Sequence, residues 1–181
     1  MKFVDSSSKK VFIVHGHDEK IKNDIVNFLY CIGVDPLVLH EQPNLGKTII
    51  EKLEHYSNFA KCAIIILTKD DHGGSLGPPQ SAQIQRTSPF PQSKKETTIL
   101  RSIEKSHPRA RQNVIFEFGY FVGKLGRNNV IALCDEDIEK PSDIDGVVYI
   151  KLDRNQEWKR GLMKDLLSAG IIIEKEKILN C

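Results

Sequence analysis

At 181 residues, 40% hydrophobic and 28% charged, the chain has the size and composition of one globular domain with a proper core. Its 26 Lys+Arg against 24 Asp+Glu leave a net charge of +2, too small to imply nucleic acid or an anionic membrane as a partner. Without an apolar run near the roughly 18 residues of a membrane span, with a polar tail over residues 1–9 that lacks a signal-peptide core, and with Cys31, Cys62, Cys134 and Cys181 forming no CxxC pair, a cytoplasmic protein with reduced thiols is expected.

Strand and helix signals alternate along the chain. Val11–Val14 is a short β-branched run that ends at His15-Gly16-His17-Asp18. Ile21, Ile25, Phe28, Leu29 and Ile32 then recur at helical spacing, and Gly33 closes that helix. Leu37–Leu39 reads as a second strand. After Pro43 and Gly46 a helix is expected over Thr48–Tyr56, with Ile49, Ile50 and Leu53 on its inner face. Ala63–Leu67 is apolar without alternation, as a central parallel strand covered on both faces should be.

From Lys69 to about His107 the chain turns irregular, rich in Pro, Ser, Gln and Thr and carrying Gly73-Gly74, with a short helix expected over Glu96–Glu104. Loops of that length inside a domain are usually functional or mobile. A helix around Asn113–Gly123, a strand at Asn129–Cys134, an acidic loop over Asp135–Asp145, a strand at Val147–Ile150 and a helix over Gln156–Ser168 complete the pattern. Five strands alternating with helices predict an α/β fold of flavodoxin-like type: an open five-stranded parallel sheet with helices on both faces. Ligands of such sheets bind beyond the carboxyl ends of the strands. The segments expected there are His15–Asp18, His40–Lys47, Thr68–Asp71 and the acidic loop.

Several motifs compete for chemistry. Asn44-Leu45-Gly46-Lys47-Thr48 resembles the end of a phosphate-binding loop, but Glu41 stands where its first glycine belongs. A polar loop running into a helix start is the simpler reading, with Lys47 and the helix's free N–H groups still able to face a phosphate. His15, His17 and Asp18 suggest a metal, yet no third His or Cys lies at a familiar spacing, so no metal is expected. Asp18 is the natural N-cap of the first helix. The Arg109/Arg111 and Lys94-Lys95 pairs lack interleaved aromatics and read as solvated charge.

Glu117 is different. It lies between Phe116 and Phe118 in the most apolar stretch with helical character, where an unpaired carboxylate costs on the order of several kcal/mol to desolvate. On helical geometry Asn113 and Glu117 share a stripe that continues toward Tyr120, Phe121 and Lys124. Gly119 and Gly123, four apart, would admit a close neighbour. The pattern leaves two readings open: a surface glutamate paired with a basic residue, or a carboxylate lining a cleft.

Read in order, Val11–Asp18, His40–Asn44 with Gly46–Glu51, Leu67–Asp71, Arg109–Phe121 and Pro141–Val147 closely resemble the bacterial TIR-like (Toll/interleukin-1 receptor-like) family. Members are labelled predicted nucleotide-binding proteins and occur as effector domains of cyclic-nucleotide-triggered antiphage systems. The resemblance runs from about residue 10 to residue 170 and makes 10–181 a single TIR-like domain, with the insert at about 69–107 as a lid or an oligomer contact. It implies an NAD⁺ nucleosidase that cleaves the nicotinamide–ribose bond, with NAD⁺ as substrate and no cofactor. Glu117 would be the catalytic residue, and Asn113 would bind the substrate, orienting either Glu117 or the ribose. His15, Gly16, His17 and Asp18 would contact the nicotinamide ribose or pyrophosphate, and Thr68 and Asp70 would flank the site.

The resemblance further implies self-association into a dimer or filament, and a cyclic-nucleotide sensor domain or protein. About ten residues precede the first strand, so a stand-alone protein or an excised domain is expected. Two other readings stay open. One is a non-catalytic TIR interaction module; the other is a nucleoside deoxyribosyltransferase-like enzyme, which uses a glutamate on a different glycosidic bond. Whether the product is linear ADP-ribose or a cyclic isomer depends on how a pocket folds the dinucleotide.

Overall fold

The computed structural model describes residues 9–74, 106–141 and 149–174, and the backbone of 80–83 and 97–100. Strands β1 (Lys10–Val14), β2 (Asp35–Val38) and β3 (Cys62–Leu67) are separated by helices α1 (Glu19–Cys31) and α2 (Ile49–Ser57). Short strands β4 (Asp71–Gly73), β5 (Gln80–Gln83), β6 (Thr97–Leu100) and β7 (His107–Arg109) follow, then α3 (Gln112–Leu125), β8 (Val130–Cys134), β9 (Tyr149–Lys151) and α4 (Trp158–Ser168). The main sheet runs in the order β2-β1-β3-β8-β9 and every pairing in it is parallel. That is the flavodoxin-like order expected from the sequence, with β1 and β3 adjacent at the point where strand order reverses.

Alternation along the strands explains the layers. Val11, Ile13, Ile64, Ile66, Ile131 and Leu133 face one side, where they bury Ile25, Phe28 and Leu29 of α1 and Trp158, Leu162 and Leu166 of α4. Phe12, Val14, Ala63, Ile65, Leu67 and Ala132 face the other, against Leu53 of α2 and Val114, Phe118 and Phe121 of α3. All six residues of β3 are buried, which is why that strand shows no period in the sequence. Each fully buried Leu, Ile or Phe of these layers contributes roughly 1.5–3 kcal/mol, and together they fix the strand ends that carry the loops.

Residues 72–107 form a second compact unit, distinct from the unit made by 1–71 and 108–181. Within it β5 and β6 pair antiparallel, Gln80 opposite Leu100 and Gln83 opposite Thr97. The expected short helix over 96–104 is therefore corrected at 97–100, which is a strand; residues 96 and 101–104 lie outside the described residues. Thr97, Thr98 and Ile99 are β-branched, and that favours the pleated conformation over the helical one.

Three further expectations change. The last helix starts at Trp158, because Gln156 sits at φ 63 and Asp153 accepts hydrogen bonds from the Glu157 and Trp158 N–H groups at 3.0 and 2.9 Å. Of the last expected strand, 147 and 148 lie outside the described residues and β9 extends to Lys151. Cys62 and Cys134 are free and buried in central strands, but Cys31, half-buried at the end of α1, is disulfide-bonded, which corrects the expectation of four reduced thiols. Among the described residues no helix is long and apolar enough to cross a membrane.

Candidate active site

Where β1 ends, the chain must turn sharply into α1, and a buried carboxylate organises the turn. Asp70, just past β3, accepts the His17 N–H at 2.8 Å through one oxygen and the Thr68 hydroxyl at 2.9 Å through the other. Its side chain is 3% exposed. A Cβ on Gly16 would lie 1.8 Å from Asp70 Oδ2, so only glycine lets the loop pass this close. Asp18 then caps α1 by accepting the Ile21 N–H at 2.9 Å. The His15–Asp18 loop is thus held from both sides before any ligand arrives.

The loop after β2 is fixed by a second device. Leu45 at φ 52 and Gly46 at φ 68 form a tight turn closed by Lys47 N–H donating to the Asn44 carbonyl at 2.9 Å. Thr48 and Glu51 make a capping box at the start of α2. The Thr48 hydroxyl is therefore occupied within the chain, and the phosphate-loop likeness reduces to a helix start with an exposed Lys47. The box also sets the phase of α2: Lys52, Leu53 and Ser57 are buried, whereas Ile49 is 77% and Ile50 49% exposed. This corrects the inner face expected for Ile49 and Ile50.

Between these loops and α3 lies a cleft of about 720 Å³ whose walls include His15, His17, His40, Lys52, Arg111 and Glu117. Phe12, Val14 and Leu39 supply apolar surface. Burial pushes the Glu117 carboxyl up to about 7 from an ordinary 4.5, opposed by the Arg111 guanidinium at the N-cap of α3. Glu117 makes no hydrogen bond or close ion pair among the described residues. Lys52, buried, donates to the Asn44 side-chain carbonyl at 3.0 Å and presents its ammonium on the same wall. Burial lowers the His15 pKa, a shift partly offset by its hydrogen bond to the Gly16 carbonyl and reinforced by His40. A half-buried carboxylate of intermediate basicity, two cations and an apolar wall make a site able to bind an anionic molecule and stabilise a cationic centre within it.

Of the residues expected at the site, His15, Gly16, His17, Lys47 and Glu117 line the cleft. Thr68 and Asp70 sit behind it as supports, and Asp18 and Asp135 line a separate groove of about 780 Å³ with Arg154 and Lys159. The acidic loop, as far as Pro141, is likewise not part of the cleft wall. Asn113 is exposed one turn before Glu117 and lies outside the cleft lining. Gly119 and Gly123 face open space rather than a close neighbour.

Sequence reasoning placed His40 in a loop at the carboxyl end of the sheet without giving it a role of its own, and it missed Lys52 and Arg111. Arg111 is more than the solvated charge its sequence context suggests: its place at the start of α3 brings it into the cleft wall with Glu117. Lys52 is brought in only by the strand order, because β2 sits beside β1. The expectation of no metal also meets a new grouping: His15, Glu19 and His40 each offer a ligand atom within 4.8 Å of the others.

Residues 10–154 match the family model described as CAP12/Pycsar effector protein, TIR domain. The chain is 40% identical over 173 residues to Uncharacterized protein YuaY of Escherichia coli K12, covering 96% of this chain and 50% of that protein. It is 36% identical over 147 residues to Protein tirC of Dictyostelium discoideum, covering 78% of this chain and 63% of tirC. It is 26% identical over 157 residues to CD-NTase-associated protein 12 of Sphingobacterium faecium, covering 86% of this chain and 40% of that protein. The chain spans about half the length of the curated relatives it matches.

Proposed function

Because this chain belongs to the bacterial TIR-like family of CAP12/Pycsar effector proteins, we propose that it is an NAD⁺ nucleosidase acting in antiphage defence, with Glu117 as its catalytic residue. The observation that carries the reading is Glu117 itself: a carboxylate half-buried in a cleft, raised to about 7 and, among the described residues, left without a hydrogen-bonding partner. A fold does not by itself specify a reaction, but this site has the charge that the reaction needs.

Heterolysis of the bond between ribose C1′ and the nicotinamide nitrogen sends the electron pair to that nitrogen, so nicotinamide leaves neutral and needs no proton. The positive charge moves to the ribosyl centre as an oxocarbenium ion. Glu117, ionised, stabilises that charge from a fixed position, and its solvation shell is already replaced by the cleft. Water then adds to C1′ and gives its proton to the carboxylate or to solvent, yielding ADP-ribose; attack by a nitrogen of the adenine base instead closes a cyclic isomer. Lys47 and Lys52, in the cleft wall with His15 and His17, would supply positive charge for the pyrophosphate, and the two histidines would contact the nicotinamide ribose or pyrophosphate. The pinned loop from Gly16 to Asp18 keeps these groups in place.

Self-association is part of the proposal, supported by apolar side chains that the fold leaves outside. Leu45 is 58% and Ile49 77% exposed beside the cleft, and Phe116 is 56% exposed next to Glu117. The same exposed residues favour a second reading, a non-catalytic TIR interaction module. A cyclic-nucleotide trigger is supported by the name of the Sphingobacterium faecium relative, CD-NTase-associated protein 12.

One experiment separates the readings. Nicotinamide release from NAD⁺ is followed for wild type and Glu117→Gln over a range of protein concentrations and under crowding. Release that rises more steeply than linearly with concentration and is lost in Glu117→Gln is expected. A wild type inert toward NAD⁺ in every assembled state sinks the enzymatic reading and leaves the module; base exchange between deoxynucleosides with NAD⁺ untouched would assign a deoxyribosyltransferase instead.

A further inference from the structure

Three side chains converge at the rim of the cleft from three separate elements: His15 at the end of β1, Glu19 at the start of α1 and His40 in the single 3-10 turn Leu39–Glu41 after β2. His15 Nε2 and His40 Nδ1 are 3.2 Å apart. Two nitrogens bound to one tetrahedral ion at about 2.0–2.1 Å are separated by about 3.3 Å, so the pair already stands at ligand spacing. Orientation agrees. His15 Nδ1 lies 2.8 Å from the Gly16 carbonyl oxygen, which can only accept, so Nδ1 carries the proton and the Nε2 of the neutral ring accepts from His40 Nδ1–H, the proton that an ion would replace. Metal-binding histidines are held this way, the second nitrogen donating to a backbone carbonyl or carboxylate.

Charge agrees as well. Lys22 Nζ lies 2.6 Å from Glu19 Oε2 and 3.5 Å from Glu41 Oε1. Two carboxylates against one ammonium leave a net negative charge beside two imidazoles. Lys22 engages one oxygen of Glu19, and Glu41 remains to hold it when Glu19 turns to an ion. Two imidazole nitrogens and a carboxylate oxygen suit zinc, cobalt or nickel and not magnesium or calcium, which favour all-oxygen sites.

We propose that His15, Glu19 and His40 form a binding site for a zinc-class transition-metal dication at the mouth of the Glu117 cleft, with the fourth coordination position left to water or to a ligand in the cleft. The site does not depend on the glycosidic reaction, because binding is measured directly. Tag-free protein stripped with EDTA is titrated with Co²⁺ and then Zn²⁺. Expected are one Co²⁺ per chain with the intense visible bands of a four-coordinate ion, displacement of those bands by Zn²⁺, and no displacement by excess Mg²⁺.

His40→Ala should weaken binding at least about tenfold, since even removing a group that only orients a metal ligand costs that much. Glu19→Gln should weaken it in the same direction. His40 and Glu19 have exposed side chains, at 54% and 60%, so both variants should fold, which circular dichroism checks; His15→Ala is a third arm. Unchanged Co²⁺ affinity in His40→Ala overturns the site. So does the weak spectrum of an octahedral ion bound at scattered surface histidines. A loss in His40→Ala with Glu19→Gln unaffected removes Glu19 and overturns the three-ligand assignment.

Discussion

The two ends of α3 treat their polar groups in opposite ways. At the carboxyl-terminal end, Lys124 Nζ donates to Ser57 Oγ at 2.7 Å, to Asn58 Oδ1 at 2.6 Å and to the Tyr120 hydroxyl at 3.2 Å, while Ser57 and Tyr120 are 2.9 Å apart. Ser57 is wholly buried, and its hydroxyl is fully used. This network ties α2 to α3, and the charge on Lys124 is spent on the fold. At the other end, Glu117 is half-buried with Arg111 as an opposing charge and no hydrogen bond among the described residues. A charged group closed off by its neighbours stabilises; one left open in a cleft costs stability and is available to a ligand. The same helix carries both, two turns apart.

The largest effect should come from the open end. Glu117→Gln keeps the shape and removes the charge, and nicotinamide release should fall by about 10²–10³-fold, the scale for losing one preorganised electrostatic group. Assay under self-associating conditions checks this; a loss below about threefold would break the contrast. The converse holds for stability. Glu117 is raised from 4.5 to about 7, so between those values the folded chain binds more protons than the unfolded one. Stability therefore falls as pH rises through that window, by up to about 3 kcal/mol, and the loss is complete above pH 7. Urea unfolding should show Glu117→Gln more stable than wild type at pH 8 and level with it near pH 4.

The closed end should respond with the opposite sign. Lys124→Met removes three hydrogen bonds at once and should destabilise by about 1–3 kcal/mol, read by urea unfolding, with little change in nicotinamide release per folded molecule. Arg111→Gln probes the counter-charge that opposes the burial of Glu117: its loss should move the pH profile of nicotinamide release to higher pH, because the carboxylate must ionise without that help. A profile unmoved by this change would mean that another group sets the ionisation. The smallest effect concerns Leu45, held at φ 52. Leu45→Asn should stabilise by about 1 kcal/mol, since asparagine tolerates the left-handed conformation.

Much of this contrast was legible from residue types. The five parallel strands follow from apolar runs with flanking turn signals, and Glu117 stands out because a carboxylate between two phenylalanines has few inexpensive environments. Asp18 as a cap follows from its place before a helical pattern. What escaped were relations set by distance in space. Lys52 joins the cleft only because β2 lies beside β1, and Arg111 faces Glu117 only because it occupies the N-cap of α3. The phase of α2 depends on a capping box whose side-chain geometry turns both Ile49 and Ile50 outward. Thr68 and Asp70 were named for the right neighbourhood, but they support the loop from behind.

Leu45 also shapes what the surface presents to solvent. A sequence selected only to fold would place glycine or asparagine in a left-handed turn and keep a large apolar side chain out of solvent. Here a leucine occupies the turn, 58% exposed, with Ile49 beside it more exposed still. The left-handed backbone costs a non-glycine residue roughly 1–2 kcal/mol, so this turn combines a conformational cost with apolar surface left in water.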